Sequence, residues 1–215
     1  MSQRPIPAPS QLSLRYWRQR WLRARLLKAE FDFLLAGEPA QEWVSIDCET
    51  SSLDPRNAEI ISIAAVRISG RRIELSDALS LLIKPSGALD PKSIPIHGLR
   101  AQDVAQGLAM DDALSQLLHF IGSRPIIGYY LEFDLAVINR QLKPWLGIAL
   151  PNRAIDVSGL YYDRMVSAYS PEVDLRLERI LHTLDLPALA RHDPLNDALM
   201  AAMIFLKLSK NPNSA

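Results

Sequence analysis

Three apolar segments joined by short connections constrain the fold of this 215-residue chain more than any other feature. Trp43 to Glu49 reads as a short apolar strand, and Glu59 to Ile68 (EIISIAAVRI) as a longer one. Ile73 to Ile83 is a third, entered through a tight turn at Gly70-Arg71. Consecutive strands with short links predict an antiparallel meander. Beyond it the pattern changes. Helical periodicity appears near 111–121 and 133–142, with Pro125 to Tyr130 (PIIGYY) between them as a buried strand. Arg153 to Val157 is a fifth, weaker strand, and helices are expected over 174–183 and 194–208. A meander followed by alternating strands and helices predicts an α/β chain with a mixed five-stranded sheet flanked by helices.

Composition removes several classes. With 48% hydrophobic and 22% charged residues, the chain is neither disordered, collagen-like nor membrane-embedded. No run of about 18 apolar residues is present, so no transmembrane segment is expected. A single cysteine excludes an internal disulfide framework and a Cys-rich zinc site. It fits a reducing compartment, and a cytoplasmic location is expected.

The net charge of zero conceals an asymmetry. Residues 1–30 hold seven basic residues against the single acid Glu30, a net +6 that leaves −6 on the remainder. Residues 1–10, with three prolines, read as a disordered lead. From about Leu12 to Leu35 the pattern is that of a basic amphipathic helix. Leu14, Trp17, Trp21, Ala24, Phe31 and Leu35 fall on one broad stripe. Gly37, Glu38 and Pro39 end the helix and form a linker. The plainest expectation is that the Trp/Phe stripe packs on the main domain and the charges stay solvated. An Arg-rich presequence, or contact with nucleic acid, an anionic membrane or a protein partner, are the alternatives.

Three places carry chemistry. Asp47 and Glu49 end the first strand two residues apart, so both point to one face. Two like charges so placed are costly to keep ionised, and a hard divalent cation removes that cost. Asp134 follows the strand PIIGYY and opens a helix, where strand ends of α/β sheets present ligands. In RHDPLNDA (191–198), Asp193 is a plausible N-cap and Pro194 suits the first helical turn. His192 then lies just outside the helix and Asp197 within its first turns. Taken singly, each has a plainer reading: solvated strand-end acids, a helix-start acid favoured by the macrodipole, a loop histidine. Cys48 is expected to face away from the acids as a small buried residue, and His119 and His182 to serve packing or surface.

Taken together and in order, Asp47-x-Glu49, Phe133-Asp134 and His192-x4-Asp197 resemble the DnaQ-like DEDDh 3′→5′ exonucleases, the DNA polymerase III epsilon-like family. Supporting segments are IDCETSSLDP (46–55), EIISIAAVRI (59–68), IPIHGL (94–99) and GYYLEFDLAVIN (128–139). The resemblance spans roughly 43–208. It implies a ribonuclease-H-like fold, an exonuclease domain over 43–210 behind the helix and linker of 11–42, and a tail at 211–215. It also implies a catalytic set of Asp47, Glu49, Asp134, His192 and Asp197. The four acids would hold two divalent metal ions, Mg²⁺ or Mn²⁺, and His192 would be the general base. Thr50, His97, Tyr130 and Phe133 would meet the substrate, with packing the safer role for Phe133.

Two departures stand out. Ser51-Ser52 replace the Thr-Gly common after D-x-E-T, and Gly128-Tyr129-Tyr130 replace G-H-N. A phenol at Tyr130 could stack on a base or sugar, which an amide cannot. The function implied is hydrolysis of phosphodiester bonds at single-stranded nucleic acid 3′ ends, with release of nucleoside 5′-monophosphates. The alternative, motivated by the altered second motif and the Trp-rich head, is a partner-binding or regulatory module with a weak site. In it the N-terminal helix would engage a protein partner.

Overall fold

The computed structural model describes residues 9–52, 54–86, 101–166 and 172–209. Its sheet comprises β1 (Glu42–Thr50), β2 (Ile60–Ser69), β3 (Arg72–Leu82), β4 (Ile126–Gly128) and β5 (Ala154–Asp156), ordered β3-β2-β1-β4-β5. β1, β2 and β3 pair antiparallel, as their short links require. β4 and β5 join the other side of β1 in parallel, because helical crossovers carry the chain back each time. The helices are α1 (Pro9–Arg25), α2 (Met110–Ile121), α3 (Leu131–Leu146), α4 (Val157–Met165), α5 (Leu177–Thr183) and α6 (Pro194–Leu208). A single helical turn spans Ala101–Val104. The expected mixed five-stranded sheet is present. β4 is shorter than expected, ending at Gly128, and α4 was not expected at all.

Helices cover both faces of the sheet. Along β1, Val44 and Ile46 enter a core built with α2 and α3. Trp43 enters the opposite core, its ring 5.2 Å from that of Phe205 on α6. Ser45 faces the same way and donates its hydroxyl to Ala198 O at 2.8 Å. Strand alternation therefore turns positions 43, 45, 47 and 49 toward α6. The carboxylates of Asp47 and Glu49 face the helix that carries Asp197.

The head departs from the expected single helix. α1 ends at Arg25, and a separate 3-10 helix spans Ala29–Leu35. The break has a local cause. Leu26 N still donates to Leu22 O at 3.0 Å, but Leu27 N donates at 2.9 Å to Leu146 O, a carbonyl left free at the C-terminus of α3. Gly147 makes this crossing feasible, since an added Cβ there would lie 2.1 Å from Arg25 O. The 3-10 helix then packs inward. The Phe31 ring lies 5.3 Å from those of both His119 and Trp145.

The break also resets the helical phase, which corrects the expected packing of the stripe. Phe31, Leu34 and Leu35 are buried, but Leu14, Trp17 and Trp21 are 71%, 63% and 56% exposed. α1 instead rests on buried Leu22, with Arg18 Nη2 donating to Pro151 O and Gln19 Nε2 to Leu35 O. Residues 1–8 and 210–215, which include most of the lead expected to be disordered and the tail, lie outside the described residues.

Candidate active site

The sheet's hydrogen bonding explains how the acids meet. β4 pairs with β1 only through Val44↔Ile126 and Ser45↔Ile127. Val44 N donates to Pro125 O at 3.0 Å on that side. Four residues on, β4 has already turned into α3, and Cys48 N donates to Asp134 Oδ1 at 3.1 Å. A carboxylate thus takes over where a strand carbonyl is missing. The turn from β4 to α3 is tight enough to bring it there. An added Cβ on Gly128 would lie 2.8 Å from Leu131 Cδ1 and 3.3 Å from Ile46 O. Tyr130 caps α3 in the left-handed region (φ 50°), where side chains other than Gly, Asn and Asp are uncommon.

Asp156, at the end of β5, fixes this corner. Its Oδ2 accepts Leu131 N at 2.9 Å, the first residue of α3, and its Oδ1 accepts Ser158 N at 2.8 Å and Gly159 N in the first turn of α4. One carboxylate caps two helix N-termini.

The third segment forms as its caps predict. Asp193 Oδ1 accepts Leu195 N at 3.0 Å and Asn196 N at 3.3 Å, with Pro194 in the first turn of α6. His192 stands just before, with φ 62°, and its backbone N donates to Asp197 Oδ2 at 3.2 Å. The imidazole is exposed, while Asp197 is 9% exposed, Glu49 9% and Asp134 5%. Ligand atoms of Glu49, His192 and Asp197 all lie within 4.8 Å of one another.

Electrostatics matches this crowding. Burial, then the charges of Asp134, Asp197 and Glu49, push the Asp47 carboxyl well above the ordinary range. Burial and Asp197 raise Glu49 to about 7, with Arg191 partly offsetting them. Burial raises Asp134 against the pull of its bonds from Cys48. Burial also raises Asp197 against Arg191 and the His192 N–H. Four carboxylates that resist ionising together form a site that a divalent cation would stabilise.

The donor set fits such ions. It is oxygen-rich with one imidazole beside it, as hard or borderline cations prefer. Asp197 Oδ1 is buried and accepts no hydrogen bond, with only Arg191 Nε nearby at 3.2 Å. Arg191 meets that charge outside hydrogen-bonding geometry, which leaves the oxygen's lone pairs to a metal cation.

The structure brings Asp47, Glu49, Asp134, His192 and Asp197 to one place. Thr50 lies beside them, buried, its hydroxyl donating to Ser52 O at 2.8 Å. Tyr130, 51% exposed, and Phe133 line a cleft of about 370 Å³ with Pro55, Glu132 and Asp156. A second cleft of about 450 Å³ runs from His192 and Pro194 to Ser62 and Leu82. Tyr129 does not face the acids: its hydroxyl donates to Leu175 O at 2.9 Å and its ring lies tilted, 4.5 Å from that of Tyr130. His97 lies outside the described residues. The sequence reading missed Arg191, which joins Glu178 on α5 to Asp197. A basic residue directly before His192 was the available signal. It also missed Asp156.

The Exonuclease model of the RNase T family matches residues 44–205. The chain belongs to that family of DnaQ-like exonucleases. Among its relatives is the PolC-type DNA polymerase III of Thermotoga maritima, 30% identical over 166 residues that cover 77% of this chain and 12% of that protein. The DNA polymerase III epsilon subunit of Aquifex aeolicus is 25% identical over 77% of this chain and 79% of its own length. The chain thus spans about an eighth of the PolC-type relative and most of the epsilon subunit. Among solved structures, E. coli exonuclease I in complex with a dT13 oligonucleotide superposes with a TM-score of 0.67 at 18% identity, over 79% of this chain and 41% of that one. The ribonuclease-H-like exonuclease fold is shared. Among the described residues, no helix is long and apolar enough to cross a membrane.

Proposed function

We propose that the chain is a metal-dependent 3′→5′ exonuclease that hydrolyses phosphodiester bonds at single-stranded nucleic acid 3′ ends and releases nucleoside 5′-monophosphates. The observation that carries this reading is the convergence of four carboxylates, three of them buried and all with raised proton affinity, beside one exposed imidazole. Asp47, Glu49, Asp134 and Asp197 are the residues that would hold two divalent ions, Mg²⁺ or Mn²⁺. When bound, these ions would neutralise the acids and the phosphate and stabilise charge on the reacting oxygens.

The chain's own residues divide the remaining work. His192, held at the mouth by its backbone bond to Asp197, accepts the proton of the attacking water. The water oxygen bonds to phosphorus, the bond from phosphorus to the 3′ oxygen breaks, and that oxygen leaves with a proton from solvent. Tyr130 offers an exposed ring at the rim on which the terminal base stacks, and Phe133 lines the same cleft. Thr50 is assigned to the terminal nucleotide and His97 to the substrate groove. The setting this reading takes is the cytoplasm.

The test is degradation of 5′-labelled single-stranded DNA and RNA by purified protein with Mg²⁺, Mn²⁺ or EDTA, beside Asp47→Ala. A metal-dependent ladder shortening from the 3′ end, absent in the variant, is expected. No cleavage of either strand by folded, metal-supplied protein would overturn the proposal in favour of a partner-binding module.

A further inference from the structure

α1 carries an aromatic stripe that nothing in the fold uses. Trp17 and Trp21, one turn apart, are 63% and 56% exposed, and Leu14, 71% exposed, stands at the edge of the groove that Leu22 and Arg18 line. Tyr16 adds an exposed ring 5.8 Å from Trp17, and the Arg25 guanidinium lies 4.7 Å over the Trp21 ring. Residues 9–28 contain six basic residues and no acid, against a net −6 for residues 31–215. Arg23 is paired with Asp32, but among the described residues no carboxylate pairs with Arg20 or Arg25. The occupant of this face is therefore anionic.

Two features favour a polynucleotide over a lipid surface. Cations interrupt the stripe, so α1 is only weakly amphipathic, whereas an interfacial helix needs a strongly apolar face. Trp17 and Trp21 stand one turn apart, about 6 Å along the axis. Two exposed rings so spaced, flanked by guanidinium groups, match the interleaving of stacking platforms and cations that binds single strands without sequence preference.

The position of α1 says how it would act. It docks where β4 and β5 begin, through Pro151 and the C-terminal end of α3, while the acids stand where β1 and β4 end. α3 spans that gap: its 16 residues measure about 24 Å. We propose that the Trp17–Trp21 face of α1 is a distal nucleic-acid subsite that holds the strand upstream of the 3′ end being cleaved. This rests on the exonuclease reading above. A strand must then be roughly four nucleotides long if extended, or seven if stacked at about 3.4 Å, to touch both ends.

The experiment uses the full chain. Binding of fluorescein-labelled dT16 is measured in EDTA across a salt series for the wild type, Trp17→Leu/Trp21→Leu, Trp17→Phe/Trp21→Phe and Arg20→Gln/Arg25→Gln. The leucine pair keeps apolar bulk but removes stacking. It should weaken dT16 binding about tenfold or more, whereas the phenylalanine pair stays within a few-fold of wild type. The arginine pair should flatten the salt slope by about 1.4. With Mn²⁺, kcat/KM of the leucine pair should fall on dT16 and not on a trinucleotide, which is too short to reach α1. Equal dT16 affinity in wild type and the leucine pair overturns the inference. So does a loss confined to phosphatidylglycerol vesicle binding or to self-association. Binding in EDTA needs no turnover, so absence of cleavage by the wild type would remove the exonuclease reading alone.

Discussion

The Asp134 carboxylate accepts the Cys48 backbone N–H at 3.1 Å, so one side chain both closes a gap in the sheet's hydrogen bonding and stands among the acids. The two roles are separable. Asp134→Asn keeps an acceptor for Cys48 and removes a charge from a crowded, buried site. Its thermal midpoint at pH 8 should equal or exceed wild type, with activity lost. Asp134→Ala leaves the N–H unpaired, at a cost of about 1–3 kcal/mol, and should melt below Asp134→Asn. If the two variants melt together, the hydrogen bond does not contribute to stability.

The raised carboxyls predict an inverted pH dependence for the metal-free protein. A group whose folded pKa exceeds its unfolded one binds more protons when folded. Its stabilisation is complete below the unfolded value and is lost as pH rises through the folded one. For Glu49 that window runs from about 4.5 to about 7, and Asp47, Asp134 and Asp197 shift in the same direction. Thermal melts in EDTA should show stability falling between pH 5 and 8, with Mg²⁺ or Mn²⁺ restoring it at the upper end. Glu49→Gln should have a shallower decline. A metal-free midpoint that rises across this range would contradict the buried-acid description.

His192 occupies a left-handed backbone position (φ 62°) and donates its N–H to Asp197. Asparagine adopts that conformation readily, so His192→Asn should keep the loop and the thermal midpoint. It should lower kcat by about 10²–10⁴-fold through loss of the base. A variant within tenfold of wild type would remove His192 from proton transfer.

Asp156→Ala removes the caps of α3 and α4 together. At about 0.5–2 kcal/mol for each cap, unfolding free energy should drop by about 1–4 kcal/mol. Because α3 carries Asp134 and is capped by Tyr130, activity should fall as well. Chemical denaturation and turnover on one oligonucleotide check both.

How legible the site was follows from how local each determinant is. Strand alternation put Asp47 and Glu49 on one face, and cap chemistry located Asp193, Pro194 and so the start of α6. Both depend on a few adjacent residues. The left-handed Tyr130 was not readable, because its conformation is imposed by Asp156, 26 residues on, holding Leu131 N. The break after Arg25 was hidden for the same reason. Leu26-Leu27-Lys28 contains no glycine or proline, and the partner of Leu27 N is Leu146. Periodicity found the Leu14–Trp17–Trp21 stripe but could not say which way it points, since only the docking of Leu22 decides that. α4 was masked by Gly159 and by its direct succession from β5.

The head grips the end of the sheet where the parallel strands start, and the acids occupy the end where they stop. The two ends share a scaffold and no residue. A substitution on the outward face of α1 leaves the spacing of the carboxylates untouched, and retuning the rim at Tyr130 leaves the head seated. Where the enzyme is held and what it hydrolyses can therefore diverge by independent mutation.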